Sequence, residues 1–245
     1  MNNSLRWFLG SFFFFITFCI YAQFESFPCK CCNPNLKDLF KGEVYKSLYI
    51  QGCDGSGHEN LSSSFLMPSG TPPKIIEYAD GPANDAAYVE WTCRYSVGRI
   101  SDNDPKTAWV EGVQGQGIGE VLIVPCLDLK KPVKIWAGFG KSDAVFSSNS
   151  RPKKIRTVVI RTPHGDPTQY GAEYKDLTII AEGTAFLIDK NGYQNLPVPK
   201  FNIELYLPKD FDQKVEYQYF LGIEILEVYP GSKYEDTCIS EITNE

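Results

Sequence analysis

The chain has 245 residues, with 24 Lys and Arg against 30 Asp and Glu, a formal charge of −6 and only two histidines. An acidic chain has no electrostatic means of gripping a phosphate backbone or an anionic membrane, so nucleic-acid binding is excluded as a leading reading. Its 43% hydrophobic residues rule out disorder throughout, and two histidines are too few for multi-histidine metal centres.

Arg6 precedes an apolar run over residues 7–20, and Ile20-Tyr21-Ala22 offers a cleavage site. Residues 1–22 therefore read as a signal peptide, because the run falls short of the roughly 20 residues that span a bilayer. A lipoprotein anchored at Cys19 is the alternative, and the bulky Phe18 before it argues against that. Export to the periplasm, the cell surface or the medium follows, with no membrane insertion once the signal is removed. Residues 23–60 form a Cys-rich extension with a short helix or strand near 36–50, and 61–245 form the main domain. Seven cysteines remain after residue 22, which in an oxidising compartment allow three disulfides and one thiol. The Cys29-Lys30-Cys31-Cys32 cluster reads as a disulfide clasp, with at least one member bonded to Cys53 or to the domain, and as the place of the unpaired thiol.

Short β-branched and aromatic segments near 88–95, 120–126, 133–139, 155–161, 177–181, 185–189, 201–207, 219–228 and 239–242 read as strands. Turn signals separate them at Asp80-Gly81-Pro82, His164-Gly165-Asp166-Pro167, Asn191-Gly192 and Pro230-Gly231, and Asn191-Gly192 predicts a type I′ hairpin. The fold class is all-β, a sandwich or jelly roll. His164 beside Asp166 reads as a solvated turn rather than an acid–base pair.

Ser101 to Trp109 reads Ser-Asp-Asn-Asp-Pro-Lys-Thr-Ala-Trp, two carboxylates and a hydroxyl that can wrap a hard cation. It is not an EF-hand, which needs Gly at the sixth position and Glu at the twelfth. The glycine-dense Gly112 to Glu120 stretch opens no helix and carries no Lys, so it is not a phosphate-binding loop.

Asp102-x-Asp104-Pro105-x-Thr107-Ala108-Trp109-Val110-Glu111-Gly112 with Gly115-x-Gly117-Ile118-Gly119-Glu120 resembles the opening motif of discoidin-like (coagulation factor 5/8 type C) domains. The branch it is most similar to is the NADase-type glycan-binding, or NAD-glycohydrolase translocation, domain. Two later blocks agree in order: Gly138-Phe139-Gly140-Lys141-Ser142 with Asn149-Ser150-Arg151-Pro152, and Val228-Tyr229-Pro230-Gly231 through Tyr234-Glu235-Asp236-Thr237-Cys238 to Ile242. Ala137 departs from the Asn the family tends to carry. The resemblance implies a galactose-binding-like jelly roll with a Cys-rich N-terminal extension, whose loops at one end recognise a ligand without bond cleavage. The glycohydrolase of the namesake enzyme sits in a separate catalytic domain, for which this chain is expected to leave no room. The resemblance also implies a structural Ca²⁺ held by Asp102, Asp104, Thr107 and Glu241; the alternative is that Asp104 and Thr107 cap the turn while Glu241 pairs with a cation.

Trp109, Trp91 and Trp136 read as core residues, whereas the loop aromatics Phe146, Tyr170 and Tyr193 are placed to stack on a sugar. Lys141, Asn149 and Arg151 supply polar groups for a ligand, and Arg151 could instead pair with Glu111 or Glu120. The candidate ligand set is thus Lys141, Phe146, Asn149, Arg151 and Tyr170, for a glycan or related cell-surface ligand. The alternative function is an envelope protein–protein interaction module, and NAD cleavage or another hydrolysis is a third.

Overall fold

The computed structural model describes residues 32–51, 61–77, 85–169, 171–209 and 211–244. The expected signal peptide, Cys29, Cys31, Cys53, the Asp80-Gly81-Pro82 turn and Tyr170 lie outside the described residues. Thirteen strands are described: β1 (Tyr45–Gln51), β2 (Trp109–Val110), β3 (Val121–Val124), β4 (Val133–Trp136), β5 (Arg151–Thr162), β6 (Asp166–Pro167), β7 (Gly171–Phe186), β8 (Gln194–Leu196), β9 (Leu205–Tyr206), β10 (Val215–Glu216), β11 (Gln218–Tyr229), β12 (Cys238–Ile239) and β13 (Glu241–Thr243). Helices α1 (Leu36–Phe40), α2 (Ala86–Thr92) and α3 (Asp143–Ser148) join them. No helix among the described residues is long and apolar enough to cross a membrane.

The large antiparallel sheet runs β1-β7-β5-β11-β3, with β6 beside β7. Its centre is the pairing of β5 with β11, from Gln218 opposite Thr162 to Tyr229 opposite Arg151. Strands of this length extend about 40 Å at roughly 3.4 Å per residue, which keeps the two ends of the domain well apart. Smaller sheets, β13-β4-β8 and β12-β2, supply the second layer. Residues alternate sides along a strand, so Ile155, Leu221, Ile223 and Ile225 lie on one face while Val158, Ile160 and Phe220 lie on the other. All seven belong to one buried cluster with Ile135, Ile239 and Ile242 of the small sheets and Leu36, Leu39 and Phe40 of α1.

The extension is therefore built into the domain. β1 is an edge strand of the large sheet, and the Phe40 ring lies over Gly222, where an added Cβ would come within 2.8 Å of it. Burial of Leu36, Leu39 and Phe40 against the sheet explains why a five-residue helix, too short to persist alone, is held.

Several expectations are corrected. The 88–95 segment is helical over Ala86–Thr92: a short mixed run satisfies both periods, and here the helix leaves only Thr92 buried. Segments 177–181 and 185–189 are not two strands: 177–186 belong to the one strand β7, because Gly183 continues the pairing opposite Thr157, and residues 187–189 lie beyond its end. Of 201–207, only Leu205–Tyr206 is strand. Asn191-Gly192 makes no hairpin, since β8 pairs with β4 rather than returning along β7. Asn191 is occupied otherwise, accepting from Trp136 Nε1 at 3.0 Å and donating to Asp143 at 2.7 Å. Trp109 is fully buried and donates to the Ser64 carbonyl, whereas Trp91 and Trp136 are only partly buried. Cys93 and Cys126 are disulfide-bonded, and Cys32 and Cys238 are free.

Candidate functional site

The first and third motif blocks are stitched together around Glu111. Its Oε2 accepts from Val113 N–H at 2.9 Å and its Oε1 from Thr237 N–H at 3.3 Å, while its own N–H donates to the Thr237 carbonyl. Gly117, at φ +65°, lies against this side chain; a Cβ there would come within 2.5 Å of Glu111 Cγ. Only glycine meets both the left-handed backbone and the close approach. Burial without a cation pushes the Glu111 carboxyl up to about 7, against the pull of the two backbone N–H groups.

The cation motif divides. Asp102 accepts from Thr107 Oγ1 at 2.8 Å and lies 3.5 Å from the Arg99 guanidinium. Glu241 faces the same place, because Ser240 accepts from Gly140 N–H and donates to the Pro105 carbonyl, locking β13 to the motif loop. Glu241 is fully buried, and neither of its oxygens has a hydrogen-bond partner of good geometry. Desolvation and the Asp102 carboxylate push it up to about 8, although the N–H groups of Asn103 and Asp104 lie close enough to favour its ionised form. Asp104 does not join them: it is exposed, its carboxylate accepts from Lys106 N–H, and its carbonyl accepts from Thr107. Among the described residues no group of three or more His, Cys, Asp or Glu side chains is arranged to hold a metal. What converges is two carboxylates and one hydroxyl, an oxygen set suited to a hard cation.

A groove of about 410 Å³ opens beside β2. Its apolar floor is Val110 with Leu66, Tyr95 and Phe139, which pack on a small buried cluster that also holds Ala108 and Cys238. Hydrogen bonds from Leu66 N–H to the Val110 carbonyl and from Val110 N–H to the Tyr95 carbonyl fix those neighbours. The opposite wall is the end of α3 joined to residues 232–236: the N–H groups of Lys233 and Tyr234 donate to the Ser148 carbonyl, and Ser150 N–H donates to the Asp236 carbonyl. Lys141, Asn149, Tyr234 and Asp236 stand on the rim, with Tyr234 45% exposed. Neither Lys141 nor Asp236 forms an ion pair among the described residues. Partial burial and Glu235 push the Asp236 carboxyl up. Asn149 donates to the Val145 carbonyl at 2.8 Å, which leaves its Oδ1 to accept.

The groove thus gathers Lys141 and Asn149 of the candidate ligand set, but not Phe146 or Arg151. Phe146 is sealed at 6% exposure beneath the Arg151 guanidinium, 4.8 Å from its ring centre. Arg151 pairs with neither Glu111 nor Glu120; it makes a two-pronged bridge to Asp189, both contacts 2.6 Å. Glu120 is bound instead by Lys37 of α1 and by Ser63. Tyr193 is 37% exposed but packs edge-on against Trp136, away from the groove. His164 is exposed, and Asp166 pairs with Lys175 rather than with it. Tyr234, Asp236 and Phe139 escaped sequence reasoning, though all three stand inside the later motif blocks.

A two-layer antiparallel sandwich with the Asp102–Glu120 loop bonded to the last strands is the architecture of an F5/8 type C, or discoidin-like, domain. The chain belongs to the NAD glycohydrolase translocation F5/8 type C domain family, whose match covers residues 82–245. Among solved structures it is similar to a Ruminococcus gnavus GH29 fucosidase in complex with fucose, at 15% identity and a TM-score of 0.24. A point mutant of that fucosidase, also with fucose, matches equally. In each case the alignment covers 62% of this chain and 22% of the fucosidase, so this chain spans about a fifth of that protein. No curated protein matches the chain.

Proposed function

We propose that the protein is an exported, non-catalytic binding module that holds a glycan or related cell-surface ligand in the groove beside β2. The observation that carries this is the combination of an apolar floor, an exposed Tyr234 and a rim in which Lys141 and Asp236 have no ionic partner among the described residues. A pyranose offers an apolar C–H face and a ring of hydroxyls, and a concave aromatic site with a few convergent polar groups suits both. The test is a glycan array and a cell-envelope pull-down with the full chain. Capture of a saccharide that Tyr234→Ala abolishes supports the reading; no capture of any saccharide or envelope fraction at high micromolar concentration overturns it.

Asp102, Thr107 and Glu241 would hold a structural Ca²⁺ in this reading, and the unpartnered, buried Glu241 carboxylate beside Asp102 is what favours it. The ion would supply the countercharge that Glu241 lacks and would fasten the motif loop to β13.

A second reading, a protein-interaction module, is favoured by the far end of the sandwich. There Ile203, Leu205, Leu207 and Phe211 are 40–62% exposed around the β9–β10 hairpin. Apolar patches of this kind mark protein contacts more often than sugar sites. Leu205→Lys with Leu207→Lys would abolish envelope capture on this reading and leave it intact on the first.

A further inference from the structure

We infer that the groove is built for an N-acetylated amino sugar, with the acetamido methyl on the apolar floor, its N–H on an acceptor of the rim and its carbonyl on Lys141. This rests on the reading of the groove as a glycan site and names the chemistry that site selects. The floor is the first reason. A plain hexose needs one apolar surface for its C–H face, and exposed Tyr234 on the rim can supply it. A separate floor remains, where Val110, only 2% exposed, is flanked by Leu66, Tyr95 and Phe139. Hydroxyl-bearing carbons set on that floor would lose water without gaining a partner. A methyl group set there leaves water at no polar cost and gains from its burial.

The rim is the second reason. Asn149 is held by one of its N–H groups on the Val145 carbonyl and offers Oδ1 as an acceptor, Asp236 adds a carboxylate, and Lys141 brings an ammonium donor to the same rim, so acceptor and donor stand side by side. An acetamido group presents one N–H donor, one carbonyl acceptor and one methyl in a fixed planar arrangement, and the groove offers a counterpart to each. With no ligand donor, the partly buried Asp236 carboxylate keeps only the hydrogen bond of its own backbone N–H, and a site with such an under-partnered acceptor disfavours an analogue that lacks the matching donor.

Saturation-transfer NMR and calorimetry on the full chain test this with N-acetylglucosamine, N-acetylgalactosamine, glucose and galactose as free sugars and as short oligosaccharides. The N-acetylated members should bind about tenfold or more tighter than their hydroxyl counterparts. The acetyl methyl should receive the strongest saturation, and the preference should shrink in Asp236→Ala and in Lys141→Ala, two rim variants that leave the core untouched. Equal affinities for acetylated and plain sugars, or saturation confined to ring protons, would overturn the inference while the glycan reading stands. Failure of every sugar to bind would overturn both.

Discussion

Glu120 and Glu241 are both buried at the ends of the motif strands, and they have opposite surroundings. Glu120 receives Lys37 from α1 and Ser63 from the segment beside β3, and these hold its carboxyl below the usual range despite desolvation. Glu241 receives no such partner, faces Asp102 and is pushed up to about 8. A buried carboxylate becomes an internal fastening when a distant segment delivers a cation to it, and a candidate ligand for an outside cation when none does. Glu111 stands between the two, with backbone N–H groups but no countercharge.

The largest effect should come from breaking the satisfied case. Glu120→Ala removes a carboxylate that joins the extension to the domain, and should cost about 3 kcal/mol in chemical denaturation. Lys37→Met should cost less, because Ser63 still binds Glu120 and Lys37 is itself 39% exposed. A loss under about 0.5 kcal/mol in Glu120→Ala would show that the extension is merely laid against the sheet.

Calcium should act on the unsatisfied case. An ion that binds only the folded state at a hundredfold excess over Kd stabilises by about 2.7 kcal/mol. The melting temperature should then fall by roughly 5–10 °C on chelation for a domain of this size. Glu241→Gln should abolish that response, and equal melting with calcium or chelator would contradict the cation reading.

A smaller effect should follow pH. Glu111 has its folded-state pKa raised, so its stabilising proton is fully bound below the unfolded value and is lost as pH rises through about 7. Stability in chelator should therefore increase as pH falls from about 8 to about 5.5, with at most about 2 kcal/mol from this group. Glu111→Gln should flatten that share of the slope and leave the share of Glu241. An unchanged slope in the variant would place the titration elsewhere.

The β-sandwich was legible because its strands are β-branched and aromatic runs bounded by turn residues, and the motif loops because glycines and acids at fixed spacing leave few conformations. What misled was local ambiguity settled by distant partners. Residues 86–92 carry aromatic and β-branched side chains that suit a strand, yet they form a helix with a single buried residue. Asn191-Gly192 has the composition of a tight hairpin, but Trp136 and Asp143 claim the Asn side chain and β8 crosses to β4. Arg151 could be foreseen as a structural ion pair, but its partner Asp189 is 38 residues away along the chain, and spacing cannot single it out from Glu111 or Glu120. Of the ligand set, Lys141 and Asn149 came from the right loop; Tyr234 and Asp236 enter the groove only because residues 232–236 fold back onto the end of α3.

Surface substitutions on the groove rim should change stability by less than about 0.5 kcal/mol, which makes them the cleanest probe of function. The central claim is that this groove is the ligand site, and calorimetric titration of the best-binding saccharide into the full chain, into Tyr234→Ala and into Lys141→Ala tests it most directly. The account predicts about tenfold or greater weakening in each variant at an unchanged melting temperature; saccharide binding of equal strength in all three proteins would contradict it.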